Sequence, residues 1–147
     1  MNAIHKQRLL KLATFLREKV PNEHFNLNYF IDAADLYSNR HIKDLPRIAA
    51  GLQSGCGTTA CAVGWCPAVF KQWEWCARTV RNGGVRLRGT SGTTLQDAER
   101  FFGLSVIESL YLFHPHEYPE NGLGKLHVAR RIEQFVKRGG MPKARRT

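Results

Sequence analysis

Within five consecutive positions, Gly55-Cys56-Gly57-Thr58-Thr59 brings together residue types that can hold an anion or supply a nucleophile. The glycines allow close backbone approach, and a Thr58 or Thr59 hydroxyl can cap a helix whose first amides then point at whatever lies in front. Such a turn can hold a phosphate. A thiol at a helix start also has its pKa lowered by the helix dipole, which makes Cys56 a weak candidate for a catalytic nucleophile. Further along the chain, Arg78, Arg81, Arg86 and Arg88 can supply countercharge to a phosphate, provided that folding brings them to the turn. The candidate ligand-binding set is therefore Gly55, Cys56, Gly57, Thr58, Thr59, Arg78, Arg81, Arg86 and Arg88.

Other chemistries have weaker support. No Gly-Lys-Ser/Thr follows the glycine turn, so the stretch is not a triphosphate-hydrolysing loop. Trp65, Trp73 or Tyr118 can stack on a base, although aromatics of this size are more often core. For a thiolate enzyme, His114, His116 or His127 is available as a base, but no spacing fixes a Cys-His pair and buried small cysteines are common. Cys56, Cys61, Cys66 and Cys76 are spaced five, five and ten apart, which gives no Cys-x-x-Cys knuckle. His114-Pro115-His116 adds two possible zinc ligands, but loop histidines of this kind are usually just solvated. No metal and no cofactor is expected.

The elements that must position these residues can be read from periodicity and punctuation. Leu9, Leu10, Ala13, Leu16 and Val20 recur at helical spacing over 3–19, which predicts an amphipathic helix ending before Pro21. Asn22–Tyr29 reads as a loop pinning Phe25 and Tyr29 to the core. Short helices are expected over Ile31–Tyr37 and Leu45–Ala50, and another from about Thr59 to Trp65, after which Pro67 kinks it or starts a second helix. Phe70, Trp73 and Trp75 add an aromatic block. Thr79-Val80-Arg81 and Val85-Arg86-Leu87-Arg88 flank Asn82-Gly83-Gly84, a hairpin signal with Val85 and Leu87 inward and Arg86 and Arg88 outward. Thr93 with Gln96, and Ser105 with Glu108, resemble capping boxes for two helices meeting at Gly103. A last helix is expected over Lys125–Arg138, with Leu126, Ala129, Ile132, Phe135 and Val136 on its core side and Gly139 as its stop.

The fold class is therefore mainly α: a compact single-domain helical fold over 1–138 with a small β-hairpin, and a flexible basic tail at 139–147. A chain of 147 residues can bury a real core. Its formal net charge of +10 suits a polyanionic partner, nucleic acid among others. That excess is spread along the chain, with concentrations at Lys71–Arg88 and Lys137–Thr147. Nothing approaches a membrane-spanning run or a secretory signal, so a cytoplasmic protein with free thiols and no membrane partner is expected.

Cys56-Gly-Thr-Thr-Ala-Cys-Ala-Val-Gly-Trp65, then Phe101-Phe-Gly-Leu-Ser105, Leu112-Phe113, Tyr118-Pro119 and Val128-Ala-Arg-Arg-Ile-Glu133, occur in an order that resembles a group of small uncharacterised bacteriophage and bacterial proteins. The resemblance covers about residues 50–136. It implies a phage setting, hence host takeover or anti-defence in the host cytoplasm, and carries no catalytic residues across. The hairpin at 78–88 and the tail after Gly139 are not part of the group's pattern.

A binding role is thus expected in preference to catalysis: capture of an anionic small molecule such as a nucleotide, or a nucleotide-derived signal, at the 55–59 amides with the arginines. The alternatives are nucleic-acid binding by the basic hairpin and tail, inhibition of a host protein by surface contact, and a cysteine-dependent enzyme. Oligomeric state is not legible in the sequence.

Overall fold

In a computed structural model, residues 1–20, 25, 32–33, 58–59, 61–77, 83–90, 93–119 and 124–143 are described. The elements run α1 (Ala3–Lys19), β1 (Asp32–Ala33), β2 (Thr58–Thr59), a 3-10 turn (Val63–Trp65), α2 (Cys66–Val69), β3 (Trp73–Ala77), β4 (Gly83–Leu87), α3 (Thr94–Phe102), α4 (Val106–Phe113), a second 3-10 turn (Pro115–Glu117) and α5 (Lys125–Arg138). Five helices and an antiparallel hairpin among the described residues make the protein mainly helical, as its periodicity predicts.

Helix α1 starts at Asn2, whose side chain accepts from the His5 amide at 2.9 Å. It buries Leu9, Leu12, Ala13 and Leu16, with Val20 just beyond. Leu10, expected inward, is exposed, and Leu12 takes its place. The stripe is centred on the 9–12–13–16 positions, and Leu10 falls about 100° round from Leu9, at its edge. The same correction applies to α5, where Val128, Ala129, Ile132 and Phe135 are buried and Leu126 is exposed. Helix α5 starts at the end of α1, where Lys125 Nζ donates to the Arg17 and Val20 carbonyls, and runs back antiparallel along it. An Arg17–Glu133 ion pair braces the pair of helices.

Both capping boxes form. Thr93 and Gln96 exchange side-chain and backbone bonds at the start of α3, and Ser105 and Glu108 do so at the start of α4. Gly103 joins the helices at φ +65°, and a Cβ there would lie 2.1 Å from His5 Nδ1. Only glycine lets the first turn of α1 sit on this corner without strain. Phe70, Phe101, Phe102 and Phe113 form the aromatic centre, with Phe101 and Phe102 rings 5.0 Å apart and Phe102 and Phe113 rings 5.8 Å apart.

The hairpin forms with a different first arm. Trp73 pairs with Leu87, Glu74 with Arg86 and Trp75 with Val85, so the described arm is Trp73–Ala77 and Gly83 and Gly84 lie in β4 instead of in the turn, while Thr79-Val80-Arg81 lies outside the described residues. Pairing buried Trp73 with Leu87, and burying Val85, outweighs the local turn preference of Gly83-Gly84. Val85 is buried, Leu87 is half-buried and Arg86 and Arg88 are exposed, as the alternation predicts.

Helix α3 latches the end of β4. Thr94 Oγ1 donates to the Val85 carbonyl at 2.9 Å, while Asp97 Oδ2 accepts from the Leu87 amide at 3.0 Å and from Thr90 Oγ1 at 2.7 Å. Asp97 is fully buried. Removing a buried charged acceptor strands its donors, so Asp97→Ala is expected to lose about 3 kcal/mol in urea unfolding. A loss below about 1 kcal/mol would show that the latch contributes little.

Two expected helices are corrected in part. Asp32 and Ala33, inside the helix predicted over Ile31–Tyr37, pair instead as a strand with Thr59 and Thr58. Likewise the helix predicted from Thr59 does not begin there, because the β-branched pair Thr58-Thr59 is extended and helical backbone starts at Val63. Pro67 then falls in the first turn of α2, where its missing amide costs nothing. The chain also stays packed past the expected tail start, since Gly140 and Met141 are buried after the left-handed Gly139 cap. The helix predicted over Leu45–Ala50, Tyr29 and residues 144–147 lie outside the described residues.

Candidate anion-binding surface

The register that sets Glu74 opposite Arg86 also sets the electrostatics of the hairpin's outer face. Arg86 Nε donates to Glu74 Oε1 at 2.8 Å, and Arg88 Nη1 lies 3.4 Å from Glu74 Oε2. Arg88 Nε donates to the Lys71 carbonyl at 3.0 Å. One carboxylate therefore orients two guanidiniums, and Lys71, whose carbonyl Arg88 meets, is itself exposed. As stabilising pairs these contacts are minor, each worth about 0–1 kcal/mol at such exposure. As an arrangement they matter more, because two guanidiniums share one acid, and among the described residues Nη2 of neither arginine has a partner. The Asp97 latch fixes Leu87 between the two arginines, and so holds their spacing.

Of the other sequence-predicted site residues, Gly55, Cys56, Gly57, Arg78 and Arg81 lie outside the described residues. Thr58 and Thr59 are in strand β2, with Asp32 directly opposite Thr59. Their amides belong to a strand pair and do not form the first turn of a helix, and the register places an acidic residue across from them. Arg86 and Arg88 are the predicted residues that the described structure brings together. Glu74, which organises them, was not among the predicted site residues. The signal was its offset from Arg86, but the offset is readable only once β3 is placed at 73–77.

Several predicted chemistries can be placed. Trp65 and Trp73 are about 1% exposed and Tyr118 is 8% exposed, so none of the three offers a face for base stacking. Tyr118 instead lies beneath Arg131, whose guanidinium carbon is 3.7 Å from the ring centroid and whose Nη1 donates to the Tyr111 and Glu117 carbonyls. Its hydroxyl donates to the Leu112 carbonyl at 2.7 Å. Cys61 and Cys66 are buried free thiols. Burial pushes Cys61 up to about 11 and Cys66 well above the ordinary thiol range, the reverse of what a nucleophile needs.

His114 and His116 stack edge to face with centroids 4.9 Å apart. His114 Nδ1 accepts the His116 amide at 3.2 Å, so that ring nitrogen is engaged by the local backbone. Among the described residues no group of three or more His, Cys, Asp or Glu is placed to hold a metal ion. A groove of about 500 Å³ lies between α1 and α2, lined by Leu10, Phe15, Ala68 and Val69 with Lys11 and Lys19 among its polar neighbours. Arg86 and Arg88 do not line this groove, and their side chains are 44% and 64% exposed.

No helix among the described residues is long and apolar enough to cross a membrane. No family model, curated protein or solved structure matches the chain.

Proposed function

We propose that the protein binds nucleic acid through its phosphate backbone, using the outer face of the β3–β4 hairpin. The observation that carries this reading is the pair of exposed arginines, Arg86 and Arg88, oriented by the single carboxylate of Glu74 with Lys71 alongside. Guanidiniums two residues apart, one in β4 and one just past its end, and both tied to Glu74, present their donors together, and such a pair suits adjacent phosphates. Exposed guanidiniums suit the backbone of a polymer better than a mononucleotide, which is bound in a concave site. Trp65 and Trp73, being buried, also offer no stacking surface for a lone base. The chain's net charge of +10 supports the same partner class.

Capture of a nucleotide at the 55–59 turn has its support in the sequence alone. A role in host takeover or anti-defence belongs with the phage resemblance, and the hairpin chemistry does not depend on it.

Anisotropy of a short labelled DNA duplex, titrated at several salt concentrations, tests the proposal. Wild-type protein is expected to bind with an affinity that falls steeply with salt. Arg86→Gln/Arg88→Gln should lower the log–log salt slope by about two, one for each phosphate no longer neutralised. An unchanged slope in that variant would overturn the hairpin reading. Thermal stabilisation by mononucleotides without any duplex binding would replace it with the nucleotide reading.

A further inference from the structure

We propose that the outward face of α5 is a second contact surface for the nucleic-acid backbone, separate from the hairpin; the inference rests on the nucleic-acid reading of the protein. Helix α5 carries five cations, and the fold divides them. Lys125 is committed to the Arg17 and Val20 carbonyls, and Arg131 is committed to the Tyr111 and Glu117 carbonyls. Arg130, Lys137 and Arg138 are exposed and make no ion pair among the described residues. The helix has one acid, Glu133, which is drawn aside to Arg17. The one carboxylate on this face, Glu133, is neutralised by Arg17, which leaves the three cations in excess beside Leu126, His127 and Gln134.

A purely structural explanation covers part of this pattern. Lys137 and Arg138 sit in the last turn, where cations offset the helix dipole. Arg130 lies two turns earlier, where the dipole gives it nothing. The three charges extend over about 12 Å of helix, the reach of several phosphates along one strand. Lys143 continues the basic character beyond the cap, and Arg145 and Arg146 follow in sequence.

A membrane surface fits this helix less well. An interfacial helix inserts an apolar face beside its basic one, but Val128, Ala129, Ile132 and Phe135 are sealed in the core and Leu126 is the single large apolar residue turned outward. The hairpin packs on α2 and α3, while α5 packs on α1 and α4, so the two basic faces belong to different parts of the surface. They should therefore act as independent contacts.

The test is Arg130→Gln/Lys137→Gln/Arg138→Gln, with substitutions at exposed positions that glutamine fills without loss of helix propensity. The same duplex titration is run on this variant, on the hairpin double variant and on the two combined, with thermal unfolding as a check on folding. We expect the helix variant to keep its melting temperature, to bind at least tenfold more weakly near physiological salt, and to lose about three from the salt slope. The loss should be the same with or without the hairpin substitutions. A helix variant that binds as wild type does, while the hairpin variant is weakened, overturns the α5 surface and leaves the hairpin standing. The opposite pattern retains α5 and overturns the hairpin. Wild-type binding to phosphatidylserine vesicles with none to the duplex overturns both.

Discussion

Phe102→Ala is expected to reduce stability by about 4 kcal/mol in urea unfolding, a large part of the total for a domain of this size. Phe102 is fully buried, and its ring meets Phe70 at 6.0 Å, Phe101 at 5.0 Å and Phe113 at 5.8 Å. These partners come from α3, α4 and the end of α2, so the cavity left by truncation would be walled by three separate elements that cannot all close on it. Phe102→Leu keeps most of the volume and should lose about half as much or less. Equal losses in the two variants would mean that edge-to-face ring geometry, and not volume, decides the site.

Alkaline pH should have an effect of similar size through the thiols. Cys61 is held up at about 11 by burial, against 9.0 for an ordinary thiol. Above about pH 9 the unfolded chain releases this proton while the folded chain keeps it, so the folded state is penalised as pH rises. The stability is fully present below about pH 9 and declines until about pH 11, by about 3 kcal/mol for Cys61 alone. Cys66 and Tyr118 are raised too, both chiefly by burial, and act in the same direction. Urea midpoints measured from about pH 8 to pH 10.5 should therefore fall, and Cys61→Ala/Cys66→Ala should flatten much of the decline. A flat wild-type profile would show that the buried thiols do not titrate against folding.

What the sequence made legible divides by the range of the interaction. Both capping boxes, the Gly103 and Gly139 stops and the bounds of the last helix are written in residues three or four apart, and they appear where the residue types place them. Placement of β3 was not legible in that way. It depends on Trp73 and Trp75 pairing with Leu87 and Val85, ten or more residues on, and the local Asn-Gly-Gly signal points elsewhere. The misassignments of Leu10 and Leu126 have a related origin: each is apolar at the edge of a helical stripe, and the choice between edge and centre is made by the neighbouring helix. For the candidate site, the outward direction of Arg86 and Arg88 followed from alternation alone. Their shared carboxylate did not, because Glu74 meets them only across the strand register.

The antiparallel pairing of α1 with α5 bears on how the chain can be made. The apolar stripe of the first helix is covered by the last one, more than a hundred residues later, so the contact between them closes almost the whole chain into one loop. During synthesis, Leu9, Leu12 and Leu16 emerge early and have only the partial cover of α2 and α3 until α5 has been made. The core cannot be completed in stages from the N-terminus, and a nascent chain halted before α5 would present a sticky helix to its surroundings.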